Sequence, residues 1–102
     1  DASLFKNKTM KTTPENSLEA LLWLKEALID FNDFDNDEKL HQLFVDLAKE
    51  KEVKNGRIMF PLRVALTFKA FTPGGAVEIA HILGKDETLR RLNLAIEQLQ
   101  NL

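Results

Sequence analysis

From Pro14 onward, apolar residues recur along the chain on a helical beat. Leu18, Leu21, Leu24, Leu28 and Phe31 fall three or four apart, which gathers them on one helix face, while Glu15, Glu19 and Glu26 lie elsewhere. Trp23 and Ile29 broaden that face. A loop over residues 32–36 follows, where Asp35 and Glu38 have capping-box spacing. A second helix carries Leu40, Leu43, Phe44, Leu47 and Ala48 and ends by Glu50 or Lys51. Lys54-Asn55-Gly56 is a turn signal, because Asn and Gly tolerate positive φ at little cost. Residues 57–60 read as a short extended entry to a third helix that opens at Pro61, where a first turn tolerates proline, with Leu62, Ala65 and Leu66 as its stripe. It leads into the breaker run Thr72-Pro73-Gly74-Gly75. A short helix with Val77, Ile79, Ala80, Ile82 and Leu83 is stopped by Gly84 in a left-handed position. A last helix over residues 86–101 aligns Leu89, Leu92, Ile96 and Leu99. No segment reads as a strand. Residues 1–13 show no firm periodicity and read as an extended lead-in or linker. The pattern predicts an all-α fold, a compact bundle or cage of about five helices over residues 14–102.

A chain of 102 residues, 44% hydrophobic and 29% charged, is long enough for one globular domain with its own core. No run of about eighteen apolar residues offers a membrane span. The absence of cysteine removes disulfides, thiol nucleophiles and thiolate metal sites, and fits an intracellular chain. The opening DASLFKNKTM lacks the signature of a secretory signal. It also lacks an initiator methionine, as expected of a processed product or a piece of a longer protein.

The net charge of −2 is unevenly distributed. Residues 1–50 hold six Lys/Arg against eleven Asp/Glu, residues 51–69 five against one, and residues 70–102 three against four. The basic island in the middle is a local positive field that attracts phosphate whatever the overall charge. Alternatively, solvated lysines simply gather near a loop.

Catalytic and metal chemistry finds little support in the residue pattern. His41 and His81 stand in different helices without a second ligand at metal spacing, and a structural or surface role is expected for each. Asp30, Asp33, Asp35, Asp37 and Glu38 cluster around a loop, where helix caps and solvent account for them, and the glycine and distal glutamate of a calcium loop are missing. Gly74-Gly75 has neither the Lys-Ser/Thr nor the preceding strand of a phosphate loop. No metal and no catalytic residues are assigned.

The binding chemistry lies in residues 51–75. Lys54, Arg57, Arg63 and Lys69 can meet a phosphate backbone, Phe68 and Phe71 can offer faces for unpaired bases, and the Thr72-Pro73-Gly74-Gly75 turn exposes short polar groups of the kind that read base edges. The alternative places Phe68 and Phe71 in the core and makes the turn a connector.

The order of these residues adds to their type. The run NGRIMFPLRVALTFKAFTPGGAVEIAHILGKDETLRRL, from Asn55 to Leu92, resembles the carboxyl-terminal part of bacterial glutamyl-tRNA synthetases, in which a PLRVALTG-like helix precedes a Ser/Thr-Pro turn and a LGKEETLRRL-like finish. Pro61 to Thr67, Thr72-Pro73-Gly74 and Leu83 to Leu92 carry the match. Residues 1–50 match in helical pattern only.

The resemblance implies a helical anticodon-binding domain of a class I synthetase. Its parent would be a ligase that joins glutamate to tRNA(Glu) with ATP and Mg2+, releasing AMP and pyrophosphate, in a catalytic domain whose HIGH-like and KMSKS-like motifs do not occur here. By motif position, Arg63, Thr72, Pro73 and Gly74 would contact the anticodon. Arg90, Arg91 and Lys85 are either tRNA contacts or surface ion-pair residues. Two positions depart from the family: Phe68 where glycine is frequent, and Gly75 where a larger apolar residue is frequent. The resemblance further implies a cytoplasmic protein, expected to be a monomer with tRNA(Glu) as its partner and no membrane association. The other reading is a synthetase-derived helical module that docks a protein through its acidic first half.

Overall fold

A computed structural model describes residues 2–69 and 71–102. Asp1 of the lead-in and Ala70 of the PLRVALTFKAFTPGG run lie outside the described residues. A 3-10 turn, Ala2–Phe5, precedes four helices: α1 (Pro14–Ile29), α2 (Asp37–Glu50), α3 (Gly56–Thr67) and α4 (Ala76–Gln100). The fold is all-α, with four helices where the periodicity predicts five. The two expected after the Thr-Pro-Gly-Gly run are one element, kinked at Gly84. There φ is 79° and ψ 174°, so the positive φ expected of this glycine is present, but the backbone is extended rather than left-handed helical and the chain resumes its helix at once. The fully buried Thr88 hydroxyl spans the kink, donating a long 3.5 Å hydrogen bond to the carbonyl of Ala80.

Helices α1, α3 and α4 pack against one another, and α2 closes one side. The stripes read from the sequence supply the core. Leu21, Leu24 and Leu28 of α1, Leu40 and Phe44 of α2, and Leu92 of α4 are fully buried, joined by Ile96 and Leu99. Ile29, expected to broaden the α1 face, is instead 54% exposed, because it is the last helical residue before the turn.

Residues 2–13 are folded onto the bundle rather than extended. Phe5 is buried, Asn7 and Thr12 exchange backbone hydrogen bonds at 3.0 and 3.1 Å, and the buried Thr12 hydroxyl donates to the Phe5 carbonyl at 2.7 Å. One aromatic anchor and one satisfied hydroxyl suffice to dock a segment that has no helical period. The radius of gyration, 12.1 Å, leaves no room for a dangling arm, since a compact chain of this length gives about 13 Å.

The caps sit differently from expectation. Helix α2 is capped by Asn36, whose side chain accepts the Lys39 amide at 3.0 Å, one residue beyond the expected Asp35–Glu38 box. A reciprocal box instead opens α1. Thr13 Oγ1 accepts from the Asn16 amide at 3.1 Å, and the Thr13 amide donates to Asn16 Oδ1 at 2.8 Å. Asparagine at the third position does the work usually read from Glu or Gln.

Helix α3 begins five residues before Pro61. Residues 57–60 are helical, not extended, because Asn55 already has helical dihedrals (φ −54°, ψ −38°) and its carbonyl accepts from both Ile58 and Met59. Pro61 sits inside the helix, and the missing amide leaves the Arg57 carbonyl without its usual partner. Burial of Ile58, Phe60, Leu62, Val64, Ala65 and Leu66 outweighs that loss. Positive φ in the preceding turn falls on Glu52, not on Asn55 or Gly56. Gly56 lies against Met10 instead: a Cβ there would stand 2.5 Å from Met10 Sδ, so the flexible methionine side chain would have to shift.

Helix α3 ends at Phe68 in the left-handed conformation (φ 56°, ψ 34°), with its amide donating to the Val64 carbonyl. This conformation explains why glycine is frequent here in the family that the sequence resembles, since a side chain adds roughly 1–2 kcal/mol of crowding that glycine avoids. Phe68 is 39% exposed, so its burial offsets only part of the cost. Phe68→Gly is expected to stabilise the domain by about 1 kcal/mol, raising Tm by roughly 4–8 °C, as read by thermal denaturation.

Candidate nucleic-acid interface

Local hydrogen bonds shape the end of α3 and, separately, the Thr-Pro-Gly-Gly turn. The Thr67 hydroxyl donates to the Arg63 carbonyl at 2.8 Å and accepts the Lys69 amide at 3.2 Å, which ties the arginine's turn of helix to the chain leaving it. Thr72 Oγ1 donates to the Gly74 carbonyl and closes the turn on itself. Gly75 then takes an extended conformation, and α4 begins at Ala76.

These elements enclose a cleft of about 530 Å³ whose walls include Lys69, Thr72, Pro73, Gly74, Ile79 and Arg91. Arg63 lines a separate hollow of about 200 Å³ between α3 and the start of α4, with Met10, Gly56, Phe60 and Ala76. Its guanidinium lies over the Phe60 ring, 5.4 Å from the centroid. Lys54 and Arg57 line a third hollow of about 380 Å³ with Met10, Lys11 and Gly56. Thus Thr72, Pro73, Gly74 and Lys69 share one cleft, Arg63 stands beside it at the root of α4, and Lys54 and Arg57 sit farther along, where Met10 and Gly56 form a wall common to the two smaller hollows.

Neither phenylalanine of the motif is a core residue. Phe71 is 87% exposed and Phe68 projects from the left-handed turn, so the alternative that packs both inside is overturned. A ring that exposed gains nothing from burial and is available for stacking.

Four linings of the cleft were not singled out as binding residues: Thr67, Glu78, Ile79 and Ile82. Ile82 is 82% exposed. Its signal was present in the sequence, since Ala80 and Leu83 flank it on the buried side of a short amphipathic helix and leave it facing outward.

The LGKDETLRRL segment is largely structural. Lys85 Nζ donates to the Ile29 carbonyl and to Asn32 Oδ1, both at 2.8 Å, and so caps the C-terminal end of α1. Glu87 accepts from Arg90 Nε and Nη2 at 2.8 and 2.6 Å and from Arg91 Nε at 2.7 Å. The hydrogen bonds from Arg90, then those from Arg91, hold the Glu87 carboxyl down at about 2, from an ordinary 4.5, and the Glu87 carboxylate raises Arg90 in turn. A carboxyl lowered in the folded state contributes stability that is complete above about 4.5 and is lost as pH falls toward 2. Glu87→Gln is expected to flatten the stability curve across that window; urea titrations at pH 5 and pH 3 on both proteins measure it.

The two histidines are peripheral. His41 is exposed, and His81 Nδ1 lies 2.6 Å from Asp37 Oδ1, linking the first half of α4 to the start of α2. Among the described residues no cluster of three His, Asp or Glu side chains is placed to hold a metal ion, and no helix is long and apolar enough to cross a membrane.

A family model described as "Anticodon binding domain" matches residues 1–96. The chain is similar to the glutamate–tRNA ligase of Clostridium tetani, with 50% identity over 100 residues that cover 96% of this chain and 20% of that protein. It is 47% identical to that of Clostridium novyi, over 98% of this chain and 20% of the relative, and 46% identical to that of Clostridium botulinum strain Hall, over 97% and 20%. The chain therefore spans about a fifth of the length of these curated relatives. No solved structure matches it.

Proposed function

We propose, because this chain belongs to the anticodon binding domain family, that it reads the anticodon loop of tRNA(Glu) as one domain of a longer glutamate–tRNA ligase. In this reading residues 14–102 are the helical recognition domain and residues 1–13 lead into it from the rest of the protein. Arg63, Thr72, Pro73 and Gly74 contact the anticodon bases. Lys54, Arg57 and Lys69 meet the backbone, and Phe68 and Phe71 offer stacking faces.

The observation that carries the reading is the cleft in which Lys69, Thr72, Pro73 and Gly74 come together, in a run of chain that also carries the exposed Phe68 and Phe71. A guanidinium is a planar fork for a base edge, a threonine hydroxyl and turn backbone offer short polar contacts, and proline presents a flat apolar surface. Bases splayed from a single-stranded loop are recognised by this combination. The acidic first half borders a hollow of about 630 Å³ lined by Asp37, Glu38 and Glu78, whose carboxylates repel RNA, and neither the family match nor the relatives point to a protein-docking module.

The longer protein would join glutamate to its tRNA at the expense of ATP, with Mg2+, in a catalytic domain of its own. In this reading the chain contributes recognition of the RNA. It would act as a cytoplasmic monomer.

The test is a titration of this chain with an anticodon stem-loop of tRNA(Glu) and with the same stem-loop carrying an altered anticodon. Preferential binding of the first, weakening steeply with salt, is expected. Equal affinity for both, or binding of neither, would overturn the reading.

A further inference from the structure

We propose that Arg91 is a further RNA-contacting residue, a preset guanidinium that donates to the acceptor edge of one unstacked base in the Thr72–Gly74 cleft, with Glu87 as its positioning residue. The proposal rests on reading this chain as an anticodon-binding domain.

Arg91 is held at two points. Its Nε donates to Glu87 Oε2 at 2.7 Å, and its Nη1 donates to the Leu66 carbonyl, also at 2.7 Å. Glu87 lies one turn earlier on α4, and Leu66 lies in the last turn of α3, where carbonyls run beyond the helix's own donors. Two bonds to two elements fix both the position and the plane of the guanidinium. The side chain is 34% exposed, and Nη2 makes no hydrogen bond among the described residues. Arg90 differs: both of its hydrogen-bonding nitrogens go to Glu87, and it is 60% exposed on the surface.

The surroundings of Arg91 favour a base over a phosphate. Pro73, Ile79 and Ile82 give the cleft apolar walls, and no other part of the protein covers most of Ile82. Glu78 also lines the cleft, with no ion pair or hydrogen bond among the described residues. Its carboxylate offsets the pull of Lys69, in the same cleft, on a phosphate, whereas a neutral base has both donors and acceptors on its edge. An arginine already anchored in such a cleft gives up little freedom on binding and can offer its remaining donors in a fixed plane.

The variant to make is Arg91→Lys, which keeps the charge and a donor for the Leu66 carbonyl but loses the fork. Its affinity for a fluorescent anticodon stem-loop of tRNA(Glu) is measured across a salt series beside the wild-type chain. Roughly tenfold weaker binding, as for loss of a charge-assisted hydrogen bond, is expected, with the slope of log K against log salt unchanged. Affinity within twofold of wild type overturns the proposal. In Arg91→Gln, which removes the charge, a slope smaller by about one marks a phosphate contact and overturns the base-edge assignment. Should the variant lose its fold, NMR of the wild-type Arg91 side-chain N–H signals decides: a shift on adding the stem-loop is expected, and no shift overturns the proposal. If the wild-type chain does not prefer the cognate stem-loop, the anticodon reading itself fails and this one with it; preference by the wild type with unchanged Arg91→Lys binding overturns this one alone.

Discussion

Arg63→Ala is expected to weaken binding of the tRNA(Glu) anticodon stem-loop by roughly 10- to 100-fold, because a guanidinium matched to a base edge contributes about 1–3 kcal/mol of discrimination. The fold should lose about 1–2 kcal/mol, because the half-buried side chain lies over the buried Phe60 ring in a cation–π contact. Arg63→Lys separates charge from shape. It retains attraction to phosphate but not the planar fork, so it should recover the salt dependence of binding and little of the preference for the cognate anticodon. In the full-length ligase, Arg63→Ala should erode discrimination against an altered anticodon and leave ATP and glutamate binding unchanged. Equal losses for cognate and altered tRNA would show that Arg63 holds only the RNA backbone. Competition titrations followed by aminoacylation of both tRNAs distinguish the outcomes.

Gly84→Ala is expected to destabilise the domain by about 2–3 kcal/mol and lower Tm by roughly 8–20 °C. No neighbouring atom lies within 4 Å of the position a Cβ would take, so the loss comes from the backbone rather than from a clash. With φ at 79° and ψ at 174°, Gly84 occupies a region that side chains of ordinary chirality scarcely enter. The same logic predicts that D-alanine at this position, introduced by chemical synthesis of the chain, restores most of the lost stability, since the mirror-image residue favours positive φ. Two thermal melts compare the effects. If both enantiomers destabilise equally, the cost is not conformational.

How much of this was legible in the sequence varied with the physics that set each feature. The faces of α1, α2 and the second half of α4 followed from apolar spacing alone, because burial of Leu21, Leu28, Phe44 and Leu92 depends only on which side of a helix they occupy. The start of α3 differs from the sequence expectation because Pro61 has two meanings, a first-turn residue or a tolerated interior one, and only the burial of Ile58 and Phe60 on the core decides between them. The docking of residues 2–13 has no periodicity to announce it; it depends on single tertiary contacts such as Thr12 to Phe5. At the candidate site, Thr72, Pro73 and Gly74 were evident as turn residues. For Arg91 the motif leaves a tRNA contact and an ion pair both open, and its anchor on α3 has no sequence signal, because Leu66 is 25 residues away in the chain and is engaged through its backbone carbonyl rather than its side chain. The left-handed turn at Phe68 was equally hidden, since a phenylalanine gives no local signal for positive φ.

The break in α4 also limits size. A straight helix of 25 residues would be about 37 Å long, at 1.5 Å per residue, yet the whole domain measures only 32 Å along its longest axis. An unbroken α4 would protrude beyond the bundle at one end, and its first two turns would run out into water instead of lying back over α3. By bending at Gly84 the chain fits two short rods into a body too small for one long rod, and the bend gives the cleft its second wall. The cleft proposed to receive an RNA base therefore exists because one helix is too long for its own domain.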